Sequence, residues 1–214
     1  MENITKKEFG EALCDLRKAH RLIFSYQEKM LDLIHFIGLK YGFPITQGNK
    51  HFSEPLKKKK DGSFELVKGM RAWDFQYSYV FEYHLGVVPQ PDESQCALSI
   101  IQYSDTGFYD STNELNKVDI NSFEPVEEAA SKLLFIFEYK SKKVKDWIWN
   151  VGDIVDDKSY ASKLHTRSVV KHKLGNIQLM YSFSMESFLN EKTTMKALKE
   201  FADFCKKETD IELL

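Results

Sequence analysis

Residues 6–41 read KKEFGEALCDLRKAHRLIFSYQEKMLDLIHFIGLKY and carry the strongest periodic signal in the chain. Apolar or small residues recur along this stretch at alternating gaps of three and four, which is the pattern of a helical seam. The seam positions are Phe9, Ala12, Leu16, Ala19, Ile23, Tyr26, Met30, Leu33 and Ile37. The pattern predicts one long helix over about residues 5–41.

Both ends of this helix are marked by residues that start and stop helices. Thr5 followed by Glu8 fits a capping box, in which each side chain accepts a backbone N–H of the other residue. Gly42 can adopt the left-handed conformation that follows a helix, and Pro44 cannot continue one. We therefore expect the helix to end near Tyr41.

The predicted helix is long for the chain that contains it. At about 1.5 Å per residue it measures roughly 54 Å, whereas a compact domain of this length has a diameter of about 45 Å. Two interpretations follow: a core helix laid across a sheet, or a helix with surface left over for a protein interface. The interface candidates are Leu16, Ile23, Tyr26, Met30 and Leu33.

Composition bounds the class of protein. The chain has 214 residues, 43% hydrophobic residues and a formal net charge of −2, which predicts a single folded domain over residues 1–214 with no overall attraction to nucleic acid. The opening MENITKKEFG has no apolar signal-peptide core, and the longest apolar run, residues 133–137, is too short to cross a membrane. The three cysteines are isolated, so we expect reduced, core or near-core thiols and a cytoplasmic location.

Several stretches after the first helix alternate in the manner of strands. From Trp73 to Leu85, aromatic residues at every second position are expected to face the core, and polar residues such as Glu82 and His84 are expected to face away from it. Residues 56–68 read as a hairpin around Asp61-Gly62. Further strands are predicted at 97–103, 133–139 and 177–183, a short helix near 125–132, and a C-terminal helix over about 191–207.

These elements predict an α+β fold. We expect a mainly antiparallel sheet of about five to seven strands, over about residues 56–183, packed on one face by the long N-terminal helix and the C-terminal helix.

Two strand ends share a pattern that could carry chemistry. Phe81-Glu82-Tyr83-His84 and Phe137-Glu138-Tyr139-Lys140 each place a carboxylate and a basic residue on one strand face. If the two strands are neighbours, Glu82, His84, Glu138 and Lys140 form a charged cluster. The alternative is a cross-strand salt bridge on a solvent face.

Glu138-Tyr139-Lys140 resembles the last motif of the PD-(D/E)xK nucleases over three residues. The resemblance implies a Mg²⁺ ion held partly by Glu138, with Lys140 stabilising charge at the attacked phosphate. It also requires a second carboxylate, for which Asp105 and Asp119 are candidates by order along the chain. No cofactor or metal is expected outside this nuclease hypothesis.

Three basic segments lie between acidic stretches and could form a phosphate-binding surface. The nucleic-acid candidates among their residues are Lys142, Lys143, Lys145, Arg167, Lys171 and Lys173. Solvated lysines scattered over the surface are the alternative.

Motifs of nucleotide-binding enzymes, serine hydrolases and zinc proteins are absent from the sequence. The long helix together with this absence favours a non-enzymatic cytosolic binding or accessory protein that assembles through the helix with itself or with a protein partner. A metal-dependent nuclease and a phosphate-backbone binder remain as alternatives, and no membrane partner is expected.

Overall fold

A computed structural model describes residues 5–44, 47–52, 60–63, 76–110, 119–144, 167–172 and 175–214. The chain divides into two compact units, residues 1–37 and 38–214, and the boundary lies within the first helix. The single domain predicted over residues 1–214 stays a prediction.

The first helix, α1, is continuous from Lys6 to Tyr41. The Thr5 backbone N–H donates to Glu8 Oε2 at 2.7 Å, and the Glu8 N–H donates to Thr5 Oγ1 at 3.3 Å, which is the predicted capping box. At the other end Gly42 has φ +72°, and the Phe43 N–H donates to the Gly38 carbonyl at 2.9 Å. Both predicted ends of α1 are therefore confirmed, because the capping chemistry is local to the chain.

The second unit is built on an antiparallel sheet of six strands in the order β1-β2-β3-β4-β6-β5. The strands are β1 (Gln47–Lys50), β2 (Val80–Pro89), β3 (Gln95–Tyr103), β4 (Lys132–Lys140), β5 (Arg167–Lys171) and β6 (Ile177–Ser184). The described residues also include the helices α2 (Gly107–Asp110) and α3 (Glu191–Thr209). The predicted α+β class, with a long N-terminal helix, an antiparallel sheet and a C-terminal helix, is confirmed.

Helix α3 covers one face of the sheet through aromatic side chains. The ring of Phe201 lies 5.0 Å from that of Phe135 on β4 and 6.3 Å from that of Tyr181 on β6. The last residue of α1 joins this contact, because the Tyr41 hydroxyl donates to the Leu198 carbonyl at 2.6 Å. We call this surface of the sheet the helical face.

The opposite face of the sheet also carries buried side chains. Tyr79, Val80, Ile101, Leu134 and Met180 belong to one apolar cluster on this face. The rings of Phe108 and Tyr109, at α2, complete the cluster. We call this surface the second face, and its burial means that polar residues placed on it by strand alternation do not all reach solvent.

The aromatic strand differs from its prediction. Strand β2 begins at Val80, and Tyr77, which was predicted to be in the core, is 43% exposed. Glu82 was predicted to face away from the core, but it is only 6% exposed. The second face is buried where Glu82 lies, so alternation assigned the correct face but the wrong environment. Trp73 and Phe75 lie outside the described residues.

Short elements were missed from the sequence. Strands β1 and β5 and helix α2 have four or five residues each, too few for a periodic pattern to identify them. The short helix predicted near 125–132 is wrong, since the Glu128 and Ala129 N–H groups both donate to the Pro125 carbonyl in a single turn that does not continue, and β4 already begins at Lys132. Most of the predicted hairpin over 56–68 lies outside the described residues.

The cysteine prediction is partly wrong. Cys96 and Cys205 are buried, as expected, whereas Cys14 is exposed on α1. The exposure of Cys14 follows from its position in the first half of α1, where every residue from 5 to 25 is exposed.

Candidate functional site

Strand pairing gathers polar side chains on the second face. His84 on β2 is opposite Ser99 on β3, and Glu138 on β4 is opposite Gln178 on β6. Glu82 lies two residues before His84 and therefore points to the same face. The β1 residue Asn49 is opposite Glu82, and His51 follows β1 directly. We call these seven residues the polar cluster: Asn49, His51, Glu82, His84, Ser99, Glu138 and Gln178.

Glu82 is the most extensively hydrogen-bonded carboxylate of the polar cluster. Its Oε2 is 2.9 Å from His51 Nε2 and 3.5 Å from Asn49 Nδ2, and its Oε1 accepts from Ser99 Oγ at 3.1 Å. Burial alone would raise the pKa of Glu82, but the hydrogen bond and charge of His51, with Ser99 and Asn49, lower it below the ordinary value. Glu82 is therefore an ionised acceptor at neutral pH.

Ser99 connects Glu82 to His84. The Ser99 hydroxyl has one proton, which it donates to Glu82, so it must accept at its 3.0 Å contact with His84 Nδ1. His84 therefore carries a proton on Nδ1 in this contact, and His51 carries one on the Nε2 that faces Glu82. The result is a directed chain in which both histidines donate toward one buried carboxylate, His84 through a serine.

Glu138 has fewer partners and behaves differently. It is 4% exposed, and its Oε1 accepts from Gln178 Nε2 at 2.7 Å. Burial raises the pKa of Glu138 to about 7, because the bond from Gln178 offsets only part of the desolvation and the charge of Glu82 raises it further. A carboxyl with this pKa can both give and take a proton near neutral pH.

The predicted catalytic residues are brought to one face, but not through neighbouring strands. Strand β3 lies between β2 and β4, so the strands of Glu82 and Glu138 are not neighbours, which was the condition set for a charged cluster. Both carboxylates still lie on the second face, because residues paired across β2, β3 and β4 point to the same side of the sheet. Lys140, partly buried at the end of β4, donates to Gln95 Oε1 at 3.4 Å.

The acidic partners considered for the nuclease motif have local roles. Asp105 Oδ1 accepts the Gly107 N–H at 2.7 Å, and Asp119 Oδ1 accepts the Asn121 N–H at 3.0 Å. Both are side chain to backbone bonds that form turns. Within the described ranges, no set of three or more His, Cys, Asp or Glu side chains is arranged to hold a metal ion.

The nucleic-acid candidates are divided by their partners. Arg167 forms an ion pair with Glu200 of α3, and Lys171 Nζ is 3.4 Å from Glu208 Oε2 of the same helix. Lys142 and Lys143 are exposed after β4. Lys145 and Lys173 lie outside the described residues.

The interface candidates on α1 also differ in exposure. Leu16 and Ile23 are 53% and 40% exposed, Tyr26 and Leu33 are partly buried, and Met30 is 2% exposed. Of the five, Leu16 and Ile23 therefore present the most apolar surface.

Sequence reasoning missed four members of the polar cluster: Asn49, His51, Ser99 and Gln178. Ser99 and Gln178 were detectable in principle as polar residues flanked by apolar neighbours in largely apolar strands. His51 gave no signal, because its partner Glu82 is 31 residues away along the chain.

Together, the fold and the polar cluster define an α+β protein whose sheet contains a buried, hydrogen-bonded acidic cluster on the face opposite α3. The chain belongs to the PM0109 family, and the match covers residues 6–210. No curated protein and no solved structure matches the chain. Among the described residues, none of the helices combines the length and the apolar character that a membrane span requires.

Proposed function

We infer that the protein is a non-enzymatic binding or accessory protein that assembles through α1, with itself or with a protein partner. The observation that supports this is the exposure of apolar residues along the first half of the helix. Six of them form what we call the apolar stripe: Phe9, Ala12, Leu13, Leu16, Ala19 and Ile23. An exposed row of large apolar side chains on a helix is typical of a protein-binding surface.

Charged residues on the other side of α1 support the same proposal. Lys7 Nζ is 3.9 Å from Glu11 Oε1, and Lys18 Nζ is 2.9 Å from Asp15 Oδ1. By helical spacing, Lys7, Glu11 and Lys18 lie on the side opposite Phe9. The helix is therefore amphipathic where it is exposed, with a solvated side and an apolar side that has no such polar pairs.

The proposal is tested by placing charges in the apolar stripe. In Leu16→Glu/Ile23→Glu we expect assembly to be lost, because two carboxylates would have to be buried in the interface. The measurement is sedimentation equilibrium at tens of micromolar protein, with pull-down to recover a protein partner. Arg21→Glu, which introduces a carboxylate away from the stripe by reversing an existing charge, is the control and should assemble as the wild type does.

One result would overturn the proposed function. The proposal fails if the wild type sediments as a clean monomer and recovers the same proteins as the Leu16→Glu/Ile23→Glu variant. In that case α1 is not an assembly surface.

A cytoplasmic location belongs to the same proposal. The free thiols of Cys14, Cys96 and Cys205 support it, since an oxidising compartment favours disulfides.

A second candidate is metal-dependent phosphodiester hydrolysis with Glu138 and Lys140. It is favoured by one observation: the sheet brings Glu82 and Glu138 to the same buried face, with Lys140 at the end of the same strand as Glu138. It predicts cleavage of nucleic acid that requires Mg²⁺ or Mn²⁺ and disappears in Glu138→Ala. Glu127→Ala, at an exposed position, is the matched control.

Phosphate-backbone binding is not taken further, because Arg167 and Lys171 are already paired with acidic residues of α3.

A further inference from the structure

The exposed half of α1 has the length and layer pattern needed to pair with another helix. Residues 6–29 span about 36 Å, or slightly more than three heptads, which is near the minimum for a stable coiled coil. In heptad terms Phe9, Leu16 and Ile23 occupy the a positions, and Ala12, Ala19 and Tyr26 occupy the d positions. Large residues thus alternate with alanine along the four central layers.

This alternation determines which orientation packs well when the partner helix has the same sequence. In a parallel pair each layer brings together identical residues, so the Ala12 and Ala19 layers would pack alanine against alanine between layers of larger side chains. Such layers leave space that a close-packed interface does not tolerate. In an antiparallel pair each a residue meets a d residue of the partner helix, and large side chains can meet small ones.

One antiparallel register satisfies all the layers of residues 6–29, of which residues 6–25 are exposed and Tyr26 is partly buried in its own chain. It places Leu16 against Ala19 of the second copy and Ile23 against Ala12, with Phe9 and Tyr26 meeting at each end of the pair. Aromatic side chains thus pair with each other, and every aliphatic side chain meets an alanine.

The same register matches charges at the flanks of the interface. Glu8 and Lys29 lie at g positions, and antiparallel pairing brings the g positions of the two helices together. Glu8 of each copy would lie beside Lys29 of the other, forming two opposite-charge pairs. Both residues are exposed, and the side chain of Lys29 is 84% exposed.

We propose that the partner of α1 is a second copy of this chain, paired antiparallel over residues 6–29 with Leu16 facing Ala19. This inference rests on the proposed assembly through α1 and names the partner and the geometry. A different protein as the partner, and a parallel pair, are the two outcomes that the experiment must separate from it.

Disulfide trapping distinguishes the orientations in the full-length chain. In a Cys14→Ser background, Leu16→Cys and Ala19→Cys variants are prepared separately, mixed and oxidised mildly. Antiparallel pairing predicts a disulfide-linked dimer between the two variants and little cross-linking of either variant alone. Cys96 and Cys205 are buried and serve as unreactive internal thiols. Circular dichroism and sedimentation of the reduced proteins check that both variants fold and associate.

A change of charge provides a second readout that needs no cysteine. Lys29→Glu alone should weaken self-association by about three- to tenfold, because it places two like-charge pairs at the flanks. Adding Glu8→Gln removes this repulsion and keeps the capping box of α1, so the double variant Glu8→Gln/Lys29→Glu should recover much of the lost association. Glu28→Lys, at an outward-facing f position, is the control and should leave the constant unchanged.

Each adverse result has its own meaning. Efficient cross-linking of Leu16→Cys with itself indicates a parallel pair and overturns the proposal. The proposal is also overturned if the protein dimerises but forms no mixed disulfide, or if the double variant does not recover the lost association. A wild type that is monomeric but recovers another protein through the apolar stripe overturns the second copy as the partner and leaves assembly through α1 in place. A wild type that is monomeric and recovers no protein overturns both the second copy as the partner and the assembly through α1.

Discussion

The two buried carboxylates of the polar cluster differ because their partners differ. Glu82 accepts hydrogen bonds from His51, Ser99 and Asn49, which together outweigh the cost of burial. Glu138 accepts one hydrogen bond, from Gln178, and this bond does not outweigh the cost of burial. The sheet therefore holds one ionised carboxylate and one that titrates near neutral pH, a separation produced by burial, hydrogen bonding and neighbouring charge within a single face.

The raised pKa of Glu138 predicts a pH-dependent stability. Between its ordinary value of 4.5 and about 7, the folded protein retains a proton that the unfolded chain has released. Stability from this group is thus present at pH 4.5 and is lost as the pH rises to about 7. In Glu138→Gln that loss should vanish, so the variant should gain on the wild type between pH 5 and pH 8, by on the order of 3 kcal/mol at most. Urea denaturation at several pH values measures this difference.

Glu127→Gln is the control for this prediction, because Glu127 is exposed and should show no pH-dependent difference from the wild type. The opposite shift of Glu82 does not interfere, since a lowered pKa affects stability only at pH values below its ordinary value of 4.5. A difference between Glu138→Gln and the wild type that stays constant from pH 5 to pH 8 would contradict the assignment.

Ser99 is predicted to matter more to stability than its size suggests. Ser99→Ala removes the donor to Glu82 and the acceptor for His84, leaving two polar groups without their bond, which should cost about 1–3 kcal/mol in the free energy of unfolding. Chemical denaturation measures the loss, and the imidazole nitrogen signals of His84 in NMR should shift. The exposed Ser184→Ala should change stability by less than about 0.5 kcal/mol. Equal stability of the two variants would show that the chain of hydrogen bonds is not formed.

At the scale of an element, two glycines have opposite roles: Gly10 lies inside α1 and Gly42 directly follows it. Gly42 has φ +72° and a Cβ there would meet nothing within 4 Å, so any cost of Gly42→Ala comes from the backbone alone. We expect a loss of about 1 kcal/mol, since a residue with a Cβ disfavours this conformation. Gly10, inside the helix, also has open space around it, and Gly10→Ala should increase helix stability by about 0.5–1 kcal/mol.

Thermal unfolding followed by circular dichroism at 222 nm compares the two alanine variants directly. A destabilised Gly10→Ala, or a Gly42→Ala equal to the wild type, would contradict the helix boundaries described above.

At the scale of the whole molecule, α3 connects the sheet to the end of α1. Phe201 is fully buried and contacts Phe135, Tyr181 and Tyr41, which come from two strands and from α1. Phe201→Ala should therefore cost about 3–5 kcal/mol, as cavities at buried aromatic sites do. Leu189→Ala, at an exposed position just before α3, should be nearly neutral. Guanidinium denaturation compares the two, and a loss below 1 kcal/mol for Phe201→Ala would mean that α3 does not depend on this contact.

Much of the fold was predictable because helix ends and strand cores are encoded locally. The Thr5–Glu8 capping box and Gly42 each act within a few residues of the end of α1 that they mark, and the seam of α1 repeats every three or four residues. Strands β4 and β6 are short, largely apolar runs. Strands β1 and β5 were missed because four or five residues acquire strand structure only by pairing with β2 and β6. The exposure of Leu16 and Ile23 could not be predicted either, since an apolar seam has the same sequence pattern whether the rest of the chain buries it or leaves it exposed.

By itself, the amino-acid order determined the two long helices, the longer strands and the face of the sheet to which Glu82 and Glu138 point, because each depends on spacing along the chain. Only the tertiary structure decided that this face is buried, that β3 separates the two carboxylates, and that His51 and Ser99 supply the bonds that hold the charge of Glu82. The physical reason is that desolvation and hydrogen bonding act through space. They depend on residues tens of positions apart, whose proximity exists only after the strands have paired.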